Sequence, residues 1–276
     1  METKYNIQAK NITTYGGKGA VKEIFLPETI DEVCQIFKSE KDIFILGGGS
    51  NTIILDGINN ANVVSFKHLD GIVVDGEKVI VGAGVRLSRL MRTVREYNLG
   101  GLEFMMGVPA SVGGLVKMNA GAFGHEIGVY IDKIVSLSAD NEIIEILPPY
   151  NFGYRKGYDG VILQVEFHLE RVAIDKSIER EKEYKTLRLQ RQPKGRSAGS
   201  VFKNVGQGAG YYIDKVGLKG TRKGGAQIST IHGNFIVNMG GGSAGDYLYL
   251  VSLAKEKVYN EFGVQLTEEF KVLGEI

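Results

Sequence analysis

A single cysteine, Cys34, among 276 residues excludes an internal disulfide and any cysteine-based metal cluster. That usage suits a reducing compartment. Charge of one sign is equally scarce, because 33 basic and 32 acidic side chains leave a formal net charge of +1. No electrostatic footprint for nucleic acid or an anionic membrane results, and any bound anion must be met locally. The opening METKYNIQAK has no apolar core of a signal peptide, and no hydrophobic run approaches the length of a bilayer span. A cytoplasmic protein is expected, without membrane or nucleic-acid partners and without a metal. Internal repeats and low-complexity tracts are absent. What remains, 43% hydrophobic and 24% charged, is the balance of a folded globular chain long enough for two or more packed domains.

Periodicity predicts the order of elements. AVKEIFLP reads as a strand, and Ile30, Val33, Cys34 and Phe37 recur at helical spacing, which makes Cys34 a core residue. Short buried strands DIFIL and TIIL flank GGGSN, and ANVVSF closes this region. A hairpin across Asp75-Gly76 follows, then a helix with Ser88 as N-cap, Leu87, Leu90, Met91, Val94 and Tyr97 on one face, and Gly100 as its stop. KIVSLSADNEIIEI and VILQVEFHLE read as strands, the second with His168 on its solvated face. SIEREKEYKTLRLQRQ predicts a charged, solvent-exposed connector helix ended by Pro193. Strands AQIST and NFIVN, a helix over residues 244–262 and a closing strand VQLTEEFKVL complete the chain.

Glycine is where the chemistry collects. Gly47, Gly48 and Gly49 after a buried strand can turn successive backbone N–H groups inward as a pyrophosphate cradle, or form a tight strand-to-strand turn. The residues that follow read as another strand, so this is no Rossmann fingerprint. Gly240, Gly242 and Gly245 match that fingerprint formally. Asp246 would nevertheless repel a pyrophosphate there, and a helix entry capped by Ser243 is the better reading. Taken singly, Arg155 reads as an anion stabiliser or a surface ion pair, Ser200 as a proton donor or a turn residue and Glu269 as an orienting acid or a solvated strand charge, the second of each being the simpler.

In order, the segments NITTYGGKGA, ILGGGSNTIILDG, GLEFMMGVPASVGGLVKMNAGAFGHEIG, FGYR, SAGSVFKN, AGYYIDKVGLKG, GGAQISTIHGNFIVN and LTEEFKVLG resemble the signature of the UDP-N-acetylenolpyruvoylglucosamine reductase (MurB) family over nearly the whole chain. The resemblance implies an α+β, three-domain flavoprotein. Two domains, residues 1–68 and 69–172, make an FAD-binding unit of the vanillyl-alcohol-oxidase type. A third α+β domain, 173–266, binds the UDP-sugar, and a strand at 267–276 returns to the active site. It further implies NADPH-dependent reduction of UDP-N-acetylglucosamine enolpyruvate in peptidoglycan precursor synthesis, with a monomer as the expected state.

By resemblance, Gly47, Gly48, Gly49, Ser50, Asn51, Gly107, Ser111, Gly114, Asn119 and Gly121 hold FAD. Ser50 stands where some flavin-superfamily relatives place a histidine that bonds the flavin covalently, so the cofactor should dissociate. Arg155 matches the family's carboxylate-stabilising arginine and Ser200 its proton donor. Glu269 matches its glutamate, with Glu268 the alternative, because strand alternation puts the two on opposite faces. For the substrate, Asn204 matches the family's contacting asparagine, Tyr154 is implied beside Arg155, and Gly199, Lys203, Lys219 and His232 are weaker matches, while Arg188 and Arg191 on the connector helix suit the diphosphate as bidentate donors. Val205 replaces the usual proline, and the tyrosine-bearing insertion of the longer family type is absent. The alternatives are a flavin-dependent sugar or lactone oxidase, which would share the FAD-binding half without needing SAGSVFKN or the terminal glutamate, and a non-catalytic UDP-sugar-binding module, which would keep the third region without a working flavin site. The three catalytic matches together disfavour both.

Overall fold

A computed structural model describes residues 1–274, so Glu275 and Ile276 of the expected terminal strand lie outside the described residues. The chain forms two compact units, the first built from residues 1–3, 25–48 and 62–188, the second from 4–24, 49–61 and 189 onward.

In the first unit, an antiparallel five-stranded sheet runs in the order Ile143–Ile146, Ile131–Leu137, Val161–His168, Lys78–Gly82, Ile72–Asp75. Leu163, Val165 and Phe167 alternate into the core, while His168 stays exposed as its position predicts. Asp75 pairs with Lys78, so Gly76 and Glu77 form the hairpin turn, one residue later than expected, with Gly76 at φ +63°. Helix Leu87–Glu96 packs Leu87, Leu90, Met91 and Val94 into the same core. Its N-cap is Arg86 rather than Ser88, Tyr97 is exposed at its end, and Asn98 at φ +55° turns the chain before Gly100 is reached. Ile43–Ile45 pairs in parallel with Asn62–Val64 in a second sheet, and helix Ile30–Ser39 leads into it. Thr29 caps that helix by accepting from Glu32 N–H at 3.2 Å, and Cys34 is half-buried against the core.

The charged helix Ile174–Arg191 is not simply a solvated connector. Ser177 and Glu181 are buried, and Glu181 pairs with Arg95. Burial raises the Glu181 pKa despite that partner. Glu103 is also buried, one carboxylate oxygen accepting from Gly101 N–H at 2.7 Å. A helix rich in Lys and Glu thus docks through its polar side chains.

In the second unit, an antiparallel sheet runs Arg196–Ser200, Phe235–Asn238, Ala226–Ile228, Arg222–Lys223. Helix Ala244–Phe262 buries Tyr247, Leu250, Val251, Ala254 and Val258 in this unit's core. Ser243 and Asp246 cap it reciprocally, at 3.0 Å in both directions, and Gly263 ends it in the left-handed conformation. Asp246 also accepts from Gly225 N–H, and these main-chain donors hold its carboxyl below the ordinary range. The formal Rossmann match is therefore a capping box. The closing strand is shorter than its alternation suggests: Lys271–Leu273 pairs in parallel with Thr52–Ile54, and before it Glu268 makes a single antiparallel bridge to Phe202. Leu266 and Phe270 are buried in loop conformation instead.

Candidate active site

Within the first unit, Gly47 and Gly48 end a strand against the second glycine-rich segment. A Cβ on Gly47 would lie 2.8 Å from Ser111 Oγ, and one on Gly48 2.9 Å from Pro109 O and 3.1 Å from Ala110 Cα. The immediate reason for glycine here is main chain packed on main chain. Both glycines are exposed, and among the described residues none accepts from their N–H groups. Donors of that kind suit a pyrophosphate, so these residues fit FAD.

Ser111 caps the short helix Val112–Lys117, accepting from Gly114 N–H at 3.4 Å. Gly121 lies in a tight hairpin where a Cβ would meet His125 O at 2.6 Å. Gly107 takes φ +85°, and its nearest neighbour is Arg188, whose Nε donates to Met106 O at 2.8 Å and Nη2 to Phe104 O at 3.3 Å. Two of the donors expected to reach a diphosphate are thus engaged with main-chain carbonyls. Burial lowers the Arg188 pKa, and its guanidinium stands 5.5 Å above the Phe123 ring.

Arg155 sits at the tip of a two-residue turn closed by hydrogen bonds of 2.8 and 3.0 Å between Gly153 and Lys156. Its φ of +54° is a left-handed conformation that costs a branched or long side chain about 1 kcal/mol or more. Such strain in a non-glycine residue marks a place where the side chain matters more than local comfort. Its guanidinium lies 5.0 Å from the Tyr154 ring centroid. Asn119, 2% exposed, holds this turn: its Nδ2 donates to Gly153 O at 3.2 Å and to Glu126 at 2.8 Å, while its Oδ1 accepts from Gly128 N–H at 3.1 Å. The amide of Asn119 therefore organises the protein rather than facing outward.

Within the second unit, Gly49 at φ +64° lies where a Cβ would be 2.0 Å from Ile12 O. Its carbonyl accepts from Thr14 N–H at 3.0 Å. Ser50, half-buried, has an N–H with no acceptor among the described residues. Asn51 reaches the far end of the chain, donating from Nδ2 to Glu269 O at 3.0 Å, and Lys271 N–H returns to Asn51 O at 2.9 Å.

Ser200 ends the strand Arg196–Ser200, and Glu269 N–H donates to Val201 O at 2.9 Å, one residue beyond it. Glu268 instead pairs with Lys255 on the long helix at 2.7 Å. Glu269 enters the region of Ser200 through the main-chain bond to Val201. Its charge and, more strongly, burial raise the pKa of Tyr247 in the neighbouring core. Lys203 N–H donates to Thr267 O at 2.9 Å, so serine, lysine and glutamate belong to one hydrogen-bonded patch. Asn204 and Arg191 are exposed. Lys219 pairs with Asp214 at 2.8 Å.

His232 is half-buried, its Nδ1 accepting from Asn234 N–H at 3.1 Å. That bond leaves the proton on Nε2. Desolvation first, then the Lys219 charge, lowers its pKa. Asn234 escaped the sequence reading, because a buried asparagine inside an apolar run has no period to betray it, whereas Asn119, implied for FAD, holds main chain instead.

Residues 191–273 match the UDP-N-acetylenolpyruvoylglucosamine reductase C-terminal domain, and residues 21–145 match an FAD binding domain. A UDP-N-acetylenolpyruvoylglucosamine reductase of Bacillus pumilus is 36% identical over 96% of this chain and 92% of its own length. One from Clostridium botulinum is 35% identical over 96% and 90%. The crystal structure of UDP-N-acetylenolpyruvylglucosamine reductase from Thermus caldophilus superposes with a TM-score of 0.86 at 34% identity, covering 99% of each chain. An FAD-type donor loop, a strained arginine turn and a serine–glutamate patch thus occur on a chain alike from end to end, and it belongs to the UDP-N-acetylenolpyruvoylglucosamine reductase family.

Proposed function

We propose that this protein is a UDP-N-acetylmuramate dehydrogenase that reduces UDP-N-acetylglucosamine enolpyruvate to UDP-N-acetylmuramate for peptidoglycan synthesis. NADPH is the reductant, FAD is bound without a covalent link, and the enzyme works in the cytoplasm as a monomer. Family membership supports the reaction. Among the described residues no helix is long and apolar enough to cross a membrane. The observation that carries the site reading is the Glu269 N–H to Val201 O hydrogen bond, which seats the terminal acid beside Ser200.

Bound FAD supplies hydride transfer between NADPH and the methylene carbon of the enolpyruvyl group. Hydride addition there drives negative charge onto the adjacent carbon and its carboxylate. A fixed cation and a proton donor lower the cost of that charge, and Arg155 and Ser200 take those roles. A serine hydroxyl is a weak acid and protonates only a strongly basic carbon of this kind. Glu269 orients the reacting end. Asn204, Lys203, His232 and Arg191 receive the UDP-sugar, whereas Arg188 shapes the loop carrying Gly107. The division of the flavin-binding part near residue 69 is supported by a change of sheet there, Asn62–Val64 belonging to one five-stranded sheet and Ile72–Asp75 to another.

The test separates the two halves of the cycle. Ser200→Ala should bleach its flavin with NADPH at near wild-type rate, yet reoxidise with the enolpyruvyl substrate slower by roughly 10²–10⁴-fold. Slowing of both halves would make Ser200 a structural residue, and slowing of neither would place the proton donor elsewhere. Protein purified without flavin absorbance, or reoxidised by oxygen but not by the enolpyruvyl substrate, would overturn the reading as a whole.

A further inference from the structure

We propose that Asn234 is the positioning residue for Ser200, its side chain replacing the strand pairing that the sheet loses beside the serine. The inference rests on the reading of Ser200 as proton donor. Arg196 pairs with Asn238 and Ser197 with Val237, but the next partner of the second strand, Phe235, is Ser200. Three residues on one strand thus face two on the other. Gly199 takes up the excess at φ +77°, a conformation open to glycine.

Beyond Ser200 the neighbouring strand has already given way to the turn carrying His232. On that side no strand remains among the described residues to pair with residues 201 and 202, which are buried, although on the other side Phe202 bridges Glu268. Asn234, 2% exposed, fills that role. Its main-chain carbonyl accepts from Val201 N–H at 2.9 Å. Its Oδ1 accepts from Phe202 N–H at 2.9 Å, and its Nδ2 donates to Phe202 O at 2.8 Å. One planar amide thereby imitates a peptide group of a missing strand.

Only asparagine carries donor and acceptor at this reach. Aspartate would turn a second acceptor toward Phe202 O in a buried site, and alanine would leave both groups of Phe202 unpaired. From the opposite side Val201 O accepts from Glu269 N–H. The segment after Ser200 is therefore held between Asn234 and the terminal acid, and its placement depends on both. The N–H of Asn234 also fixes the His232 ring, so one residue aligns the proton donor and a substrate-binding donor.

The experiment uses holoenzyme and stopped-flow absorbance of each half-reaction. Asn234→Ala should keep flavin reduction by NADPH within about twofold and slow reoxidation at saturating UDP-N-acetylglucosamine enolpyruvate by roughly 10- to 100-fold, the usual effect of a misplaced catalytic group. In a Ser200→Ala background the same substitution should change reoxidation by less than about twofold, because the group it aligns is gone. Multiplying effects in the double variant, or wild-type reoxidation in Asn234→Ala, overturn the inference. If Asn234→Ala does not fold, Asn234→Asp decides. A buried aspartate that binds a proton regains a donor toward Phe202 O, so its reoxidation rate relative to wild type should rise between about pH 8 and pH 6. A flat ratio overturns the inference. Wild-type reoxidation by Ser200→Ala alone would instead strike the serine assignment on which it rests.

Discussion

The side-chain amide of Asn51 donates to the main-chain carbonyl of Glu269 at 3.0 Å, joining residues 218 positions apart. The loop that follows the triple glycine and the segment bearing the terminal acid are therefore one local structure, continued by the parallel pairing of Thr52–Ile54 with Lys271–Leu273. Asn51→Ala removes the donor. Stability should drop by about 1 kcal/mol, the net worth of one such bond, and reoxidation by substrate should slow more than reduction by NADPH. Thermal unfolding and the two half-reactions measure both, and unchanged reoxidation would show that Glu269 does not depend on this anchor.

Arg155→Lys keeps the charge but loses the planar, two-pronged geometry that matches a carboxylate. Turnover at saturating substrate should fall by about tenfold or more, equivalent to roughly 1.4 kcal/mol of transition-state stabilisation, with a smaller change in KM. An unaltered turnover number would remove Arg155 from the reaction.

Gly48→Val should release FAD. Its first branch atom would strike Pro109 O and Ala110 Cα, forcing apart the two segments whose main chains meet there. Flavin absorbance after gel filtration reads the outcome, and a folded variant that stays fully yellow contradicts it.

The pKa of His232 is lowered by burial and by Lys219. The unfolded chain therefore binds a proton that the folded one resists. Its contribution to stability is intact above the ordinary value of 6.5 and declines as pH falls from there through the lower folded pKa. His232→Gln should flatten that acid limb in a series of denaturant titrations. An identical pH profile in both proteins would count against it.

Ser243→Ala should destabilise the fold by about 1 kcal/mol through loss of the cap on helix Ala244–Phe262, while the bound flavin spectrum stays the same. A larger loss accompanied by loss of flavin would give this end of the helix a role in the site.

Much of this molecule was legible in one dimension. Helix Ala244–Phe262 and its cap follow from Ser243, Asp246 and Gly263, because capping and helical periodicity operate within a few residues. The quoted motifs sufficed to place the chain in its family, since motifs are read in linear order without reference to the fold. Tertiary structure decided what depends on distant neighbours. Alternation in VQLTEEFKVL suggests one continuous strand, but it records burial of Leu266 and Phe270, and the pairing splits into a bridge from Glu268 to Phe202 and the short strand Lys271–Leu273. The connector helix was read as solvated because Glu181 is buried only where Arg95, 86 residues away, meets it. Arg188 on the connector helix suits a diphosphate as a bidentate donor, and only the fold brings it to the carbonyls of Phe104 and Met106. Asn119 and Asn234 show the limit most plainly. A buried amide acts through the main-chain groups it reaches across space, and nothing in its sequence neighbourhood names them.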